Sequence, residues 1–116
     1  MVDINGIYTG IDIETNLPVT LGLTAQAGNA VSGSITYQSP FGTVSLAGEM
    51  RTDPSDPQAA YVALTGEPSS AIGFLTLTGY TEGGSPRVFY LQVSYAVAGQ
   101  GGAHYANSQL IVFTHT

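Results

Sequence analysis

Histidine is the side chain best suited to proton transfer near neutral pH, and the sequence contains two, His104 and His115. His104 follows the glycine-rich segment GQGG, and His115 is close to the end of the chain. A catalytic triad needs a base within hydrogen-bond reach of an activated hydroxyl, and the sequence has no G-x-S-x-G motif. We therefore predict that the protein is not an enzyme. The alternative is a small hydrolase or isomerase that uses His104 with a carboxylate.

The carboxylates form two groups. Asp12 and Glu14 alternate with two isoleucines, so on a strand both carboxylates would share one face. Such a pair could help to hold a calcium ion or serve in acid-base chemistry, but we interpret it as a solvated face. Asp53 and Asp56 lie in the segment RTDPSDP, where Arg51 could pair with a neighbour. Calcium loops need more oxygen ligands than either group offers, so no metal and no cofactor are predicted.

The charge balance limits the classes of partner. The sequence has two arginines, no lysine and eight Asp or Glu residues, which gives a net charge of -6. Nucleic acids and anionic membranes bind clustered cations, so neither is an expected partner. The chain has no cysteine, which excludes disulfides and thiol nucleophiles but leaves the compartment open. A secreted or periplasmic location is slightly favoured.

Apolar residues recur with a period of two along most of the chain, which is typical of half-buried strands. Turn signals such as NLP, DPSDP and EGGSP separate the periodic segments, and no window shows helical spacing. Residues 1–116 are therefore predicted to form a single all-β domain, an eight-stranded antiparallel up-and-down barrel, with a β-sandwich as the alternative. The eight predicted strands lie in INGIYTG, LPVTLGLTA, AVSGSITYQ, TVSLAGEM, YVALTG, AIGFLTLTGY, RVFYLQVSYAV and SQLIVFTHT.

Glycine recurs inside or just past these segments, as in VSGSITY, SLAGEM and LTLTGY. Glycine weakens a strand, but it also allows the sharp bending that a small barrel requires. The repetition therefore favours a closed barrel over a sandwich. The alternative is that these glycines only mark strand ends beside turns.

The last two predicted strands are apolar on both faces. Ile111 and Phe113 alternate with Leu110 and Val112, whereas the barrel interior needs only one apolar face. A contiguous apolar patch is rarely left open on a monomer, so we expect association with further copies of the chain. The alternative is a set of scattered surface apolar residues, which need no partner.

Several short pieces of the chain are similar to strands of a known family of small barrels. The segment GIY, which ends at Tyr8, is similar to a glycine-x-aromatic signature of the first strand, and SGSITYQS is similar to the third strand. SLAGEM, LTGYTEGG and FTHT are similar to the fourth strand, the end of the sixth strand and the C-terminal segment, in the same order. These pieces resemble the avidin and streptavidin family of calycin-type barrels. The resemblance implies an eight-stranded barrel, often tetrameric, with a small-molecule pocket at one end.

The family's pocket positions can be carried over one by one. Its third-strand tyrosine and serine fall on Tyr37 and Ser39, which are retained, whereas its last-strand aspartate falls on Ile111 and its first-strand asparagine on Gly10. The chain has no tryptophan, so the family's tryptophan box for biotin is absent. The resemblance implies six candidate ligand-binding residues, Tyr8, Tyr37, Ser39, Phe74, Thr76 and Gln92.

These observations predict a non-enzymatic binding protein, an avidin-like barrel that holds a small molecule. The alternative is a structural or interaction subunit of a homo-oligomer whose barrel interior is packed solid. An open cavity that reaches Tyr37 and Thr76 would favour ligand binding over the filled barrel.

Overall fold

The computed structural model describes residues 2–37, 42–69 and 71–116, in which eight antiparallel strands form a closed barrel in chain order. β1 pairs with β2 on one side and with β8 on the other, which closes the sheet. The all-β barrel is therefore confirmed over the sandwich. The strands are β1 Gly6–Ile11, β2 Pro18–Ala25, β3 Ala30–Tyr37, β4 Thr43–Asp53, β5 Asp56–Gly66, β6 Ile72–Thr81, β7 Val88–Ala98 and β8 His104–His115, with a short 3-10 turn at Gln100–Gly102 between β7 and β8.

The period-two pattern sorts the side chains into an interior set and an outer set. Residues that lie opposite each other on neighbouring strands point to the same face, so the interior set follows the register around the barrel. Leu21 pairs with Ile35, and Leu77 pairs with both Leu64 and Val93. The largest fully buried side chains are Tyr8, Phe89, Phe113, Ile4, Leu21, Ile35, Leu64, Leu75, Leu77, Leu91, Ile111 and Val19.

Glycines in mid-strand allow neighbouring strands to approach closely. A Cβ atom on Gly48 would run into the carbonyl oxygen of Ala63, and one on Gly79 would run into that of Tyr90. Gly33 is similarly pressed against backbone on β2. At these positions glycine serves the coiling of the barrel wall, as the sequence pattern predicts, rather than marking a strand end.

One end of the barrel, here called the closed end, is capped by aromatic rings and by the segment before β1. Val2 and Ile4 are buried there, and the Tyr8 hydroxyl donates a hydrogen bond of 2.9 Å to the Ile4 carbonyl. The Tyr8 ring packs edge-on against Phe89, with 5.3 Å between ring centroids, and lies 5.0 Å from the His115 ring. This end is therefore sealed by apolar contacts.

Two strands are longer than the sequence pattern predicts. β5 begins at Asp56, inside the segment interpreted as a turn, and β8 begins at His104. The first residues of β8 lack apolar alternation, and their pairing with β7, from His104 opposite Ala98 onward, keeps them extended. Within the described ranges, no helix is long and apolar enough to cross a membrane.

Candidate functional site

The end of the barrel opposite the closed end, here called the mouth, gathers five polar side chains: Asp12, Glu14, Tyr37, Tyr95 and Gln109. Asp12 and Glu14 lie in the loop between β1 and β2, and Tyr37 is the last residue of β3. Tyr95 and Gln109 stand near the mouth on β7 and β8, on the inward side of each strand. Four separate parts of the chain thus converge on one opening.

Asp12 organises the loop that follows β1. Its Oδ1 atom accepts a hydrogen bond of 2.9 Å from the backbone N–H of Glu14, and its own N–H donates to the Leu17 carbonyl, also at 2.9 Å. Asp12 is only 7% exposed, whereas Glu14 is exposed. The interpretation of both carboxylates as one solvated face is therefore wrong for Asp12, because the chain leaves β1 and turns at this residue.

Gln109 ties this loop to the barrel wall. Its Nε2 atom donates a hydrogen bond of 2.9 Å to Asp12 Oδ1, and its Oε1 atom accepts one of 2.8 Å from the Ile13 N–H. Both polar ends of the Gln109 amide are thus used. The pairing of β1 with β8 ends before this loop begins. Side-chain hydrogen bonds from Gln109, rather than strand pairing, therefore hold the loop between β1 and β2 at the mouth.

The two tyrosines of the mouth are held in their neutral form. Burial raises the pKa of Tyr37, and the negative charges of Asp12 and Glu14 raise it further. Burial also raises the pKa of Tyr95, with added effects from Glu14 and Asp12 and from a hydrogen bond to the Glu14 carboxylate. Both hydroxyls therefore keep their protons well above neutral pH.

Neither arginine lies near the negative charge of the mouth. Arg51 lies toward the other end of β4, where its Nη2 atom pairs with Glu49 Oε2 at 2.7 Å on the exposed surface. Arg87 precedes β7, and its charge acts on Tyr8 at the closed end. Both arginines thus belong to the closed-end half of the barrel. No group of three or more His, Asp or Glu side chains in the described ranges could hold a metal ion.

The structure separates the six residues that the sequence analysis selects for ligand binding. Tyr37 is at the mouth, and Tyr8 is at the closed end, fully buried against Phe89. Ser39 lies outside the described residues. Tyr8 and Tyr37 both point into the barrel, but they do not share a site.

Phe74, Thr76 and Gln92 lie on the outer surface. Leu75 and Leu77 of β6 and Val93 of β7 point inward, so their neighbours along each strand point outward. Phe74 is 61% exposed, and the Gln92 amide donates a hydrogen bond of 2.6 Å to the outer Ser108 hydroxyl. Tyr37 points into the barrel, so these three outward residues do not form one pocket with it.

The other titratable groups that the sequence analysis considers are not members of the mouth cluster. His104 is exposed and lines an outer groove with Ile72 and Ala96, and His115 packs on Tyr8. Asp53 accepts hydrogen bonds from the Ser55 hydroxyl at 2.8 Å and from the Ser55 N–H at 2.9 Å, which lowers the pKa of its carboxyl group. The pairing predicted for Arg51 is confirmed by its contact with Glu49.

Sequence reasoning missed Tyr95 and Gln109 as members of the site. Tyr95 lies on the same face of β7 as Phe89 and Leu91, and the length of β7 places it at the mouth. Gln109 sits in a polar stretch, and its role depends on β8 running past the end of β1. A polar residue on the inward side of a strand is the signal that could have identified both.

The sequence was also compared with known proteins. No protein-family model matches the chain, and the search of curated proteins gives no match.

Proposed function

We propose that the protein is a non-enzymatic, avidin-like binding barrel that holds a small molecule at its mouth. The observation that carries this proposal is the convergence of Asp12, Tyr37, Tyr95 and Gln109 at one end of a barrel whose other end is sealed. Binding sites are typically concave and mostly apolar, with a few polar groups that converge from different elements. Tyr37 also stands where the resemblance to the avidin family implies a pocket tyrosine.

The charges at the mouth define the ligand class. Two carboxylates and two neutral tyrosine hydroxyls face this opening, and both arginines lie toward the closed end. An anionic ligand would be repelled, whereas a neutral or positively charged molecule with hydrogen-bond donors would be attracted. An aromatic body would suit the tyrosine rings, which also attract cations.

The site is shallow. Leucine and isoleucine side chains fill the interior below the mouth, among them Leu21, Ile35 and Leu77, which are fully buried. Tyr37 itself is only 5% exposed. A ligand would therefore lie between the tyrosines and the loop after β1, and that loop would have to shift outward to admit it.

Three small molecules with the same ring and different charge test this proposal: benzylamine, benzyl alcohol and benzoate. We expect benzylamine to bind most tightly by isothermal titration, benzyl alcohol more weakly, and benzoate not measurably. Tyr37→Phe and Asp12→Asn should each weaken benzylamine binding, because each removes one polar group from the mouth. Biotin belongs in the same series as a test of the avidin resemblance.

The matched control is Tyr61→Phe, because Tyr61 is an exposed tyrosine on the outer face of β5 and its hydroxyl is removed in the same way. Its benzylamine affinity should equal that of the unmodified protein. Equal binding of benzoate and benzylamine, or no binding of any of the three, would contradict the proposal.

A second candidate function is that of a structural subunit that associates with copies of itself. Two observations favour it. The apolar interior below the mouth is filled and Thr76 lies on the outer surface, so Tyr37 and Thr76 do not share the open cavity that would favour ligand binding. Leu110 and Val112 are also about half exposed on the outside of β8. This function does not require a ligand at the mouth, and the two functions can coexist in one protein.

A further inference from the structure

The outer surface of the barrel has two sides of different chemistry. The outward residues of β1, β6, β7 and β8 form what we call the apolar flank, and those of β2 to β5 form the polar flank. The large exposed apolar side chains of the apolar flank are Ile7, Ile11, Ile72, Phe74, Tyr80, Leu110 and Val112. On the strands of the polar flank, Tyr61 is the only large exposed apolar side chain among the described residues.

Charge also differs between the two flanks, although within the polar flank only β4 and β5 contain charged residues. The chain has a net charge of -6, yet β1, β6, β7 and β8 contain no Asp, Glu, Lys or Arg. On the polar flank, β4 contributes the exposed pair of Glu49 and Arg51. Two copies of an acidic chain repel each other unless they meet through surfaces without carboxylates. The apolar flank meets this condition.

The polar groups at the centre of the apolar flank already have partners within the chain. The Ser108 hydroxyl accepts a hydrogen bond of 2.6 Å from Gln92 Nε2 and lies 2.8 Å from the Ser94 hydroxyl. Burying a polar group is costly mainly when it loses its hydrogen bonds. These three side chains can therefore be covered at low cost.

The size and shape of the flank suit a protein interface. The four strands contain 6, 10, 11 and 12 residues, and at a strand spacing of about 4.8 Å and about 3.3 Å per residue they cover about 620 Å². A standard interface buries about 800 Å² on each partner. A groove of about 450 Å³ also runs between β1 and β8, lined by Ile11, Ile13, Leu110 and Val112, and could receive side chains from a partner.

We propose that a second copy of this chain packs face to face on the apolar flank, around a two-fold axis. This inference rests on the second candidate function above, that the chain associates with itself, and it assigns the surface that does so. In a two-fold arrangement the same patch serves both partners, so one uncharged apolar face is sufficient. The mouth lies at the end of the barrel and stays open in such a dimer.

Sedimentation velocity of the full chain over a wide range of concentrations tests this proposal. The unmodified protein should form a dimer. Leu110→Glu and Val112→Glu should each weaken the dimer by roughly tenfold or more, because each places an unpaired carboxylate inside the interface. Both side chains are about half exposed, so the barrel should tolerate the change, and circular dichroism with thermal melting checks this.

The matched control is Thr24→Glu, which adds the same charge at an exposed position of β2 on the polar flank. Its dimer should be as tight as that of the unmodified protein. An unmodified protein that stays monomeric at every concentration would overturn both the association and this surface. A dimer that Leu110→Glu and Val112→Glu leave intact, or that Thr24→Glu weakens equally, would overturn only the assignment to the apolar flank.

Discussion

At the closed end, Tyr8 packs against Phe89 and donates its hydroxyl proton to a backbone carbonyl, whereas at the mouth Tyr37 lies among carboxylates. Burial raises the pKa of both tyrosines. The nearby charges differ, because Arg87 lowers the pKa of Tyr8 and Asp12 raises that of Tyr37. The same residue type therefore completes an apolar seal at one end and joins a negatively charged polar cluster at the other.

We therefore assign stability mainly to the closed end and the proposed ligand binding to the mouth. The closed end has aromatic packing and a hydroxyl satisfied by backbone, which is an arrangement that holds a fold together. The mouth has carboxylates and amides linked through side-chain hydrogen bonds, such as that from Gln109 to Asp12. We expect substitutions at the closed end to lower stability more than substitutions at the mouth, and only substitutions at the mouth to change ligand affinity.

The largest effect is expected from Phe113→Ala. Phe113 is fully buried on β8, opposite Phe89. Removing its ring should lower the free energy of unfolding by about 3–5 kcal/mol, as for other buried aromatic residues. Urea unfolding measures the free energy of unfolding of Phe113→Ala and of the exposed control Tyr61→Ala. The control should lower this free energy by less than about 1 kcal/mol. Similar losses in the two variants would contradict the description of the closed end as the packed end.

A smaller effect is expected from Gln109→Ala at the mouth. The change leaves the Ile13 N–H without its acceptor and removes a donor from Asp12, so the free energy of unfolding should fall by about 1–3 kcal/mol. Gln26→Ala is the control, because the Gln26 amide makes one exposed hydrogen bond, to the Ser32 hydroxyl. It should change stability by less than about 0.5 kcal/mol. A loss in Gln109→Ala no larger than that of the control would show that the loop after β1 does not depend on this side chain.

The smallest effect concerns alkaline pH. Burial raises the pKa of Tyr8 from 10.0 to about 12. Its contribution to stability is therefore fully present below pH 10.0 and is lost as the pH rises through about 12. Thermal melting across this range should show a falling midpoint, with a shallower fall in Tyr8→Phe, because phenylalanine does not ionise. An equally steep fall in that variant would mean that Tyr8 does not contribute to the pH dependence.

Much of the fold could be predicted because period-two alternation and mid-strand glycines are local signals. The inward residues of β2, β3 and β7 follow the sequence pattern directly, as Leu21, Ile35 and Leu91 show. The start of β8 could not be predicted, since its residues are kept extended by pairing with β7 rather than by their own alternation.

The site was harder to predict because it depends on long-range geometry. Alternation in β6 divides Phe74 and Thr76 from Leu75 and Leu77, but it does not show which set faces inward when both contain large apolar residues. The sequence pattern predicts that Asp12 is a strand residue on a solvated face. In the structure the chain turns after β1, and this turn buries Asp12. Tyr37 is selected in the sequence only through a resemblance to the avidin family, and its position beside the charges of Asp12 and Glu14 follows from the closed barrel.

Amide NMR spectra recorded during a titration with benzylamine test most directly whether the mouth is the binding site. The shifted signals should belong to residues 12–17, to Tyr37 and to the segments around Tyr95 and Gln109. Signals from the closed end, such as those of Tyr8 and Phe89, should stay in place. Shifts centred on the closed end or on the outer face around Phe74 and Gln92, or an absence of shifts at saturating benzylamine, would contradict it.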